Sequence, residues 1–176
     1  ILETRANFED ALLLCVYDQD RHGFIEICNS MFTVTKSDYF GYLASDVFPS
    51  RHWLAMAINL MDKSPNRGLL AFNDGKWFGR LASFGLVRRL WVERIYSDKH
   101  MFHHGYQSHY ADTELSVVAW AQSQAIYDPN IGMFEVDYEK ETKGTNLSDK
   151  NLYAIRIEAL KKLDTWISRE PLKWFS

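Results

Sequence analysis

An α/β fold with a mostly parallel central sheet, covered by helices on both faces, is what the sequence predicts, and three observations predict it. Two apolar runs, ALLLCVY and YFGYLA, each end in acidic residues, and strands covered on both faces read as continuous hydrophobic runs. Between them RHGFIEICNSMFTVTKSD places Phe24, Ile27, Cys28, Met31 and Phe32 three and four apart, the spacing of a crossover helix. A strand, helix, strand unit of this kind implies parallel pairing and a right-handed crossover. The 176 residues, 47% hydrophobic and 15% aromatic, suit one domain with a sizeable core and are too few for two.

Taken in order, 1–10 carries Ile1, Leu2 and Phe8 among charges and reads as a loop or helix tail. The strand from Ala11 delivers Asp18 and Asp20 at its tip, and the strand from Tyr39 delivers Asp46. Pro49 cannot donate to a ladder and suits a helix start, so a helix is expected from Ser50 to about Lys63. SPNRG breaks the chain, GLLAF is a short strand, and Asn73 to Gly75 is a turn. Strands and then a short helix around Leu86 to Ile95 follow. ADTELSVVAWAQSQA is a helix with Asp112 and Glu114 in its first turn. IYDPNIGMFEVDY contains a turn at Asp128 to Asn130 and a short strand. Ser148 caps a last helix, Asp149 to about Arg169, whose stripe of Leu152, Ile155, Leu160, Leu163 and Ile167 is expected to pack on the sheet. Within the single domain, 1–75 reads as a ligand-binding half, 76–145 as a catalytic half and 146–176 as the closing amphipathic helix.

A formal net charge of −3 without blocks of like charge offers no footprint for nucleic acid. Cys15 and Cys28 sit in apolar runs without CxxC spacing and read as buried thiols rather than a disulfide or zinc pair. The longest apolar run, Ala11 to Tyr17, falls far short of the ~18 residues of a membrane span, and no basic leader region precedes it. No transmembrane segment and a cytoplasmic location are therefore expected. Trp166, Trp174 and Phe175 suit core packing better than membrane-surface contact, since few basic residues accompany them.

In open α/β sheets ligands bind beyond the carboxyl ends of the strands, so the acids at the two tips point to one crevice holding a metal or a phosphate-bearing ligand. Either acid alone could be an ordinary cap or loop residue. A divalent cation on a diphosphate needs few protein ligands, because phosphates and waters complete its oxygen shell. Transfer from a nucleotide-activated donor also needs a base near the acceptor hydroxyl. Asp46 and Asp112 fit those two tasks, although Asp112 before Thr113 and Glu114 is also a plausible helix cap. His103, His104 and His109 are candidate ligands or structural residues. Trp77, Phe78, Trp91 and Tyr106 could stack on a sugar or pack in the core.

The run CNSMFTVTKSDYFGYLASDVFPSRHWL, continued by LVRR and HHGYQSHYADTELSVVAWAQ, resembles glycosyltransferases of the GT-A fold, most like family 2, over roughly 11–137. The resemblance implies a Rossmann-like GT-A domain that takes a nucleoside-diphosphate sugar, a UDP-sugar foremost, and transfers the sugar with inversion to an acceptor hydroxyl on a glycan, protein or lipid. It assigns Ser45 and Asp46 to the metal and diphosphate motif with Mn²⁺ or Mg²⁺, Asp18 and Asp20 to the nucleoside, and Asp112 to the base with Glu114 beside it. Arg88 and Arg89 fall where the family has phosphate-side or acceptor-side basic residues. Three departures stand out. Ala44 replaces the first acid of the metal motif, and the family's opening strand has no counterpart before Ala11. Glu135 and Asp137 stand where a metal-assisting histidine often lies, making Asp137 a second metal candidate. The rival readings are a non-catalytic nucleotide-sugar-binding or interaction module on a degenerate GT-A fold, and a metal-dependent phosphohydrolase or nucleotidyltransferase. The lack of a Gly-rich phosphate loop counts against a P-loop version of the last.

Overall fold

The structure is a computed structural model that describes residues 18–96, 98–135, 146–162 and 171; the expected first strand, Cys15, Asp137 and the chain end with Trp166, Trp174 and Phe175 lie outside them. A helix is present where one was expected, as α1, Phe24–Val34, with Ile25, Cys28 and Phe32 buried. After it come β1 (Tyr39–Tyr42), β2 (Val47–Pro49), α2 (Trp53–Asp62), β3 (Leu69–Asn73), β4 (Gly85–Arg88) and α3 (Arg89–Ile95). The chain continues with α4 (Ala111–Ala121), β5 (Ala125–Glu135) and α5 (Leu147–Leu160).

The fold is mixed α/β, and the described residues form one five-stranded sheet in the order β1-β4-β3-β5-β2. The expectation of a mostly parallel sheet is corrected here. Among the described residues only β3 and β5 run parallel, while β1 with β4, β3 with β4, and β2 with β5 are antiparallel. A continuous apolar run reports burial on both faces and carries no information on strand direction. In β3, Leu69 and Ala71 enter a core with α1, α3, α4 and α5, whereas Leu70 and Phe72 enter a second core with Ala57 and Met61 of α2. Period-two alternation thus supplies both faces of one strand, with helices on each.

Strands β1 and β2 lie at opposite edges of this sheet although only Leu43 to Asp46 separate them in sequence. Four strand spacings of a flat sheet amount to about 19 Å. The link from Tyr42 to Val47 reaches about 17 Å when fully extended, and two of its residues, Ser45 and Asp46, form a turn. The sheet must therefore curl, and β5 shows where. Between the pairs Ala71 with Tyr127 and Asn73 with Gly132 the partner strand carries extra residues. Asp128, Pro129 and Asn130 bulge there, with the Asn130 N–H donating to Asp128 Oδ1 at 2.9 Å. The predicted turn at these residues is a bulge within one eleven-residue strand, and it swings the far half of β5 onto β2.

Two boundaries also differ. Pro49 ends β2 instead of opening a helix, which an edge strand tolerates because one of its sides makes no ladder bonds. The following helix begins at Trp53, after His52 in a left-handed conformation (φ 59°). On α5 the buried residues are Asp149, Tyr153 and Ile157, while Ile155 of the expected stripe is 70% exposed. This helix packs on α4, and its cap is Asn146, whose side chain accepts the Ser148 and Asp149 N–H groups. Tyr153 and Ile157 share a face with the packed Leu152 and Leu160, and Leu163 and Ile167 of the expected stripe lie outside the described residues.

Candidate functional site

Two hollows meet around the N-terminal half of α1. One, of about 300 Å³, lies between the start of α1, the segment near Leu81 and Ser83, Phe102, and the first turn of α4 with Asp112. The other, an open groove of about 540 Å³, runs between α1 and the end of β1 to Ala44 and Ser45. Phe24, half exposed, lines both. Tyr42 and Phe102 stand edge to face between them with ring centroids 5.3 Å apart, and the Tyr42 hydroxyl donates to the Ala82 carbonyl at 2.6 Å.

Asn29 fixes this wall from the helix side. Its amide donates to the Phe102 carbonyl at 3.0 Å and its carbonyl oxygen accepts the Phe102 N–H at 2.8 Å, so a buried polar side chain is satisfied by one residue of the loop. Asp149 fixes the other side: its carboxylate accepts the N–H groups of Gln107, Ser108 and His109 at 2.8–3.0 Å. Burial works to raise the Asp149 carboxyl, and these three bonds outweigh it and hold it below the usual carboxylate range. Neither residue stood out in the sequence. Asp149 had read only as the first residue of a helix, and its partners are some forty positions away.

Asp112 lines the smaller hollow. Burial pushes its carboxyl above the usual range, against the pull of the Thr113 N–H, which donates to Oδ1 at 2.8 Å. Its charge in turn helps raise the Tyr42 phenol, for which burial is the larger cause. Asp112 thus faces the smaller hollow, which meets the groove along β1 at Phe24. Glu114 does not share it. Fully buried, Glu114 accepts the Tyr106 hydroxyl at 2.6 Å and two Arg156 N–H groups at 2.7 and 2.8 Å, joining α4 to α5. Helix residues two apart point to different faces, so the expectation of Glu114 beside Asp112 at one reacting centre carried its own counter-signal.

Asp18 sits in the turn before α1, where its oxygens accept the N–H groups of His22 and Gly23 at 3.0 Å each. The Gly23 bond, then that of His22, lowers its carboxyl. Asp20 is exposed in the same turn. Ser45 and Asp46 form the turn between β1 and β2, Ser45 exposed and Asp46 half buried, and Ser45 belongs to the groove. Arg88 and Arg89 turn into the fold. Arg88 donates to the Arg67 and Met61 carbonyls at 3.1 and 2.8 Å and lies over the Tyr39 ring. Arg89, 9% exposed, donates to the carbonyls of Phe32 and Ser37 and to the Thr35 hydroxyl. A cation closing the C-terminal end of α1 is favoured by the orphan carbonyls there. Of the aromatic candidates Trp91 and Tyr106 are core residues, and Trp77 and Phe78 are exposed.

Among the described residues, no group of three metal-ligating side chains gathers about Asp46, so the fit for a protein-held Mn²⁺ or Mg²⁺ is one carboxylate. Cys28 is free and buried, and burial pushes its thiol up to about 12. No helix among the described residues is long and apolar enough to cross a membrane. In comparisons with known proteins, no family model, curated protein or solved structure matches this chain.

Proposed function

We propose that the chain is a glycosyltransferase moving a sugar from a nucleoside-diphosphate sugar, a UDP-sugar foremost, to an acceptor hydroxyl with inversion. The observation that supports this reading is Asp112. A carboxylate whose proton affinity burial has raised lines a hollow that meets, at Phe24, the groove running to the end of β1, and a raised pKa makes a carboxylate a better general base near neutral pH. In the proposed reaction the acceptor oxygen attacks the anomeric carbon, the bond from that carbon to the diphosphate breaks, and the acceptor's proton passes to Asp112. Ser45 and Asp46 at the β1–β2 turn would face the diphosphate, and Asp18 and Asp20 the nucleoside. A Mn²⁺ or Mg²⁺ ion, if used, would neutralise the leaving diphosphate and arrive with the donor, since Asp46 alone cannot cage it. The acceptor is a glycan, protein or lipid hydroxyl.

One observation favours the non-catalytic reading as the second choice. Arg88 and Arg89 direct their guanidinium groups to main-chain carbonyls, so the pair is turned away from a departing diphosphate. Titrating a panel of nucleoside diphosphates with and without Mn²⁺, followed by transfer assays with the matching sugar donors, separates the two. Donor binding that persists in Asp112→Asn while transfer falls by about 10²-fold or more is expected. Donor binding without transfer by the parent chain would establish the binding module instead.

A further inference from the structure

The loop from Asp98 to Tyr106, between α3 and α4, carries a side-chain group that the transferase reading does not use. Asp98, His100 and His104 each offer one ligand atom, and the three atoms lie within 4.8 Å of one another. Both imidazoles aim the same nitrogen at the same oxygen. The Nδ1 of His104 is 2.7 Å, and that of His100 3.3 Å, from Asp98 Oδ2. Only His104 completes a hydrogen bond there. The Nδ1 of His100 is shielded from solvent and has no hydrogen-bond partner, an unusual state for a buried polar atom. The exposed ring of His104 stacks on that of His103 with centroids 4.7 Å apart. His103 is itself engaged through Nδ1, which accepts the Gly105 N–H at 3.1 Å.

We propose that Asp98, His100 and His104 form a binding site for a divalent transition metal of the zinc class. Two imidazole nitrogens and one carboxylate oxygen are a donor set that suits zinc and its neighbours, whereas magnesium and calcium prefer oxygen alone. Around a tetrahedral zinc with bonds of about 2.0–2.1 Å, ligand atoms stand roughly 3.3 Å apart. The His100 contact with Asp98 already has that separation, the His104 contact needs to open by about half an ångström, and the two histidine ligand atoms, within 4.8 Å of each other, need to settle at the same separation by rotation of the exposed His104 ring. The ion would replace the hydrogen bond between Asp98 and His104 and give the His100 Nδ1, which makes no hydrogen bond, a partner, with water completing the shell. Phe102 lies between the two histidines in sequence and forms the wall between the two hollows. A metal here ties down that wall and touches no reacting atom. The site is separate from Asp46 and stands whether or not the transferase reading does.

The test is calorimetric titration of zinc chloride into the metal-free full chain, with His104→Ala, His100→Gln, Asp98→Asn and Asp46→Ala compared to the parent. One zinc per chain is expected, with each substitution in the triad weakening binding by about 10-fold or more and Asp46→Ala leaving it unchanged. Zinc should raise the melting temperature of the parent and not that of His104→Ala. That ring is largely exposed, so its removal leaves the fold intact. No stoichiometric binding by the parent, or parent-like affinity in His104→Ala and His100→Gln, overturns the proposal.

Discussion

Replacing Glu114 by Gln keeps the shape of a fully buried side chain and removes its charge, which isolates what the ion pair contributes. The parent carboxylate accepts two Arg156 N–H groups at 2.7 and 2.8 Å and the Tyr106 hydroxyl at 2.6 Å. The Arg156 side chain is only 20% exposed, so the variant leaves a guanidinium largely out of water with no counter-charge. Breaking a buried pair from one side costs about 3–5 kcal/mol. For a chain of this size each kcal/mol lowers the melting temperature by roughly 2–4 °C, so a fall of about 6–20 °C is expected. Urea denaturation of Glu114→Gln, Arg156→Met and the double variant measures it. The double variant should be more stable than the sum of the two single losses, because it leaves no uncompensated charge. A Glu114→Gln midpoint indistinguishable from the parent, or a double loss that is simply additive, would refute the account. Below its midpoint Glu114→Gln should retain whatever transfer activity the parent has, since its side chain is sealed between α4 and α5.

Asp112→Asn should be at least as stable as the parent at neutral pH. The folded carboxyl is raised above its unfolded value by burial, so its favourable contribution exists at low pH and is lost as pH rises through the folded pKa; a lower neutral melting temperature would contradict this. Asp149→Ala strands three loop N–H groups and should cost about 2–4 kcal/mol by urea denaturation. Because the folded Asp149 carboxyl is lowered, that difference should hold above the ordinary unfolded value of about 3.9 and fade as pH falls through the lower folded one; a difference that grows in acid would reverse the assignment. In Gly68→Ala the new methyl would fall 2.1 Å from the Trp91 ring, and a loss of about 1–3 kcal/mol is expected from the same measurement. A neutral result there would show that Trp91 moves aside freely.

What could be read from the residues was what depends on local period. The spacing of Phe24, Ile27, Cys28, Met31 and Phe32 and the apolar body of α4 announced their helices, and Leu69 to Phe72 announced a short strand, which the fold covers on both faces. Strand direction was not readable, because it is settled by which edges meet after the chain has folded. Asp128, Pro129 and Asn130 displayed true turn chemistry, yet a strand paired on both sides of the bulge absorbed it. At the site, Asp112 lines the hollow from the first turn of a helix whose body is otherwise buried nearly all round. Arg88 and Arg89 followed the carbonyls at the end of α1 and the links around β3, partners that no local pattern reveals. His100 escaped notice because its significance lies in an orphaned nitrogen, which is a property of three dimensions.

The four residues between β1 and β2 act as a clasp on a bent sheet. Because its two ends are stitched to opposite edges, the turn bearing Ser45 and Asp46 is held between two anchors instead of hanging free. Its position is thus dictated by the curvature of the whole sheet. A deletion within it would force the edges to part, whereas an inserted glycine would give slack at little entropic cost. Any ligand that grips this tip must therefore pull on both margins of the sheet at once, and the curl itself becomes part of the binding geometry.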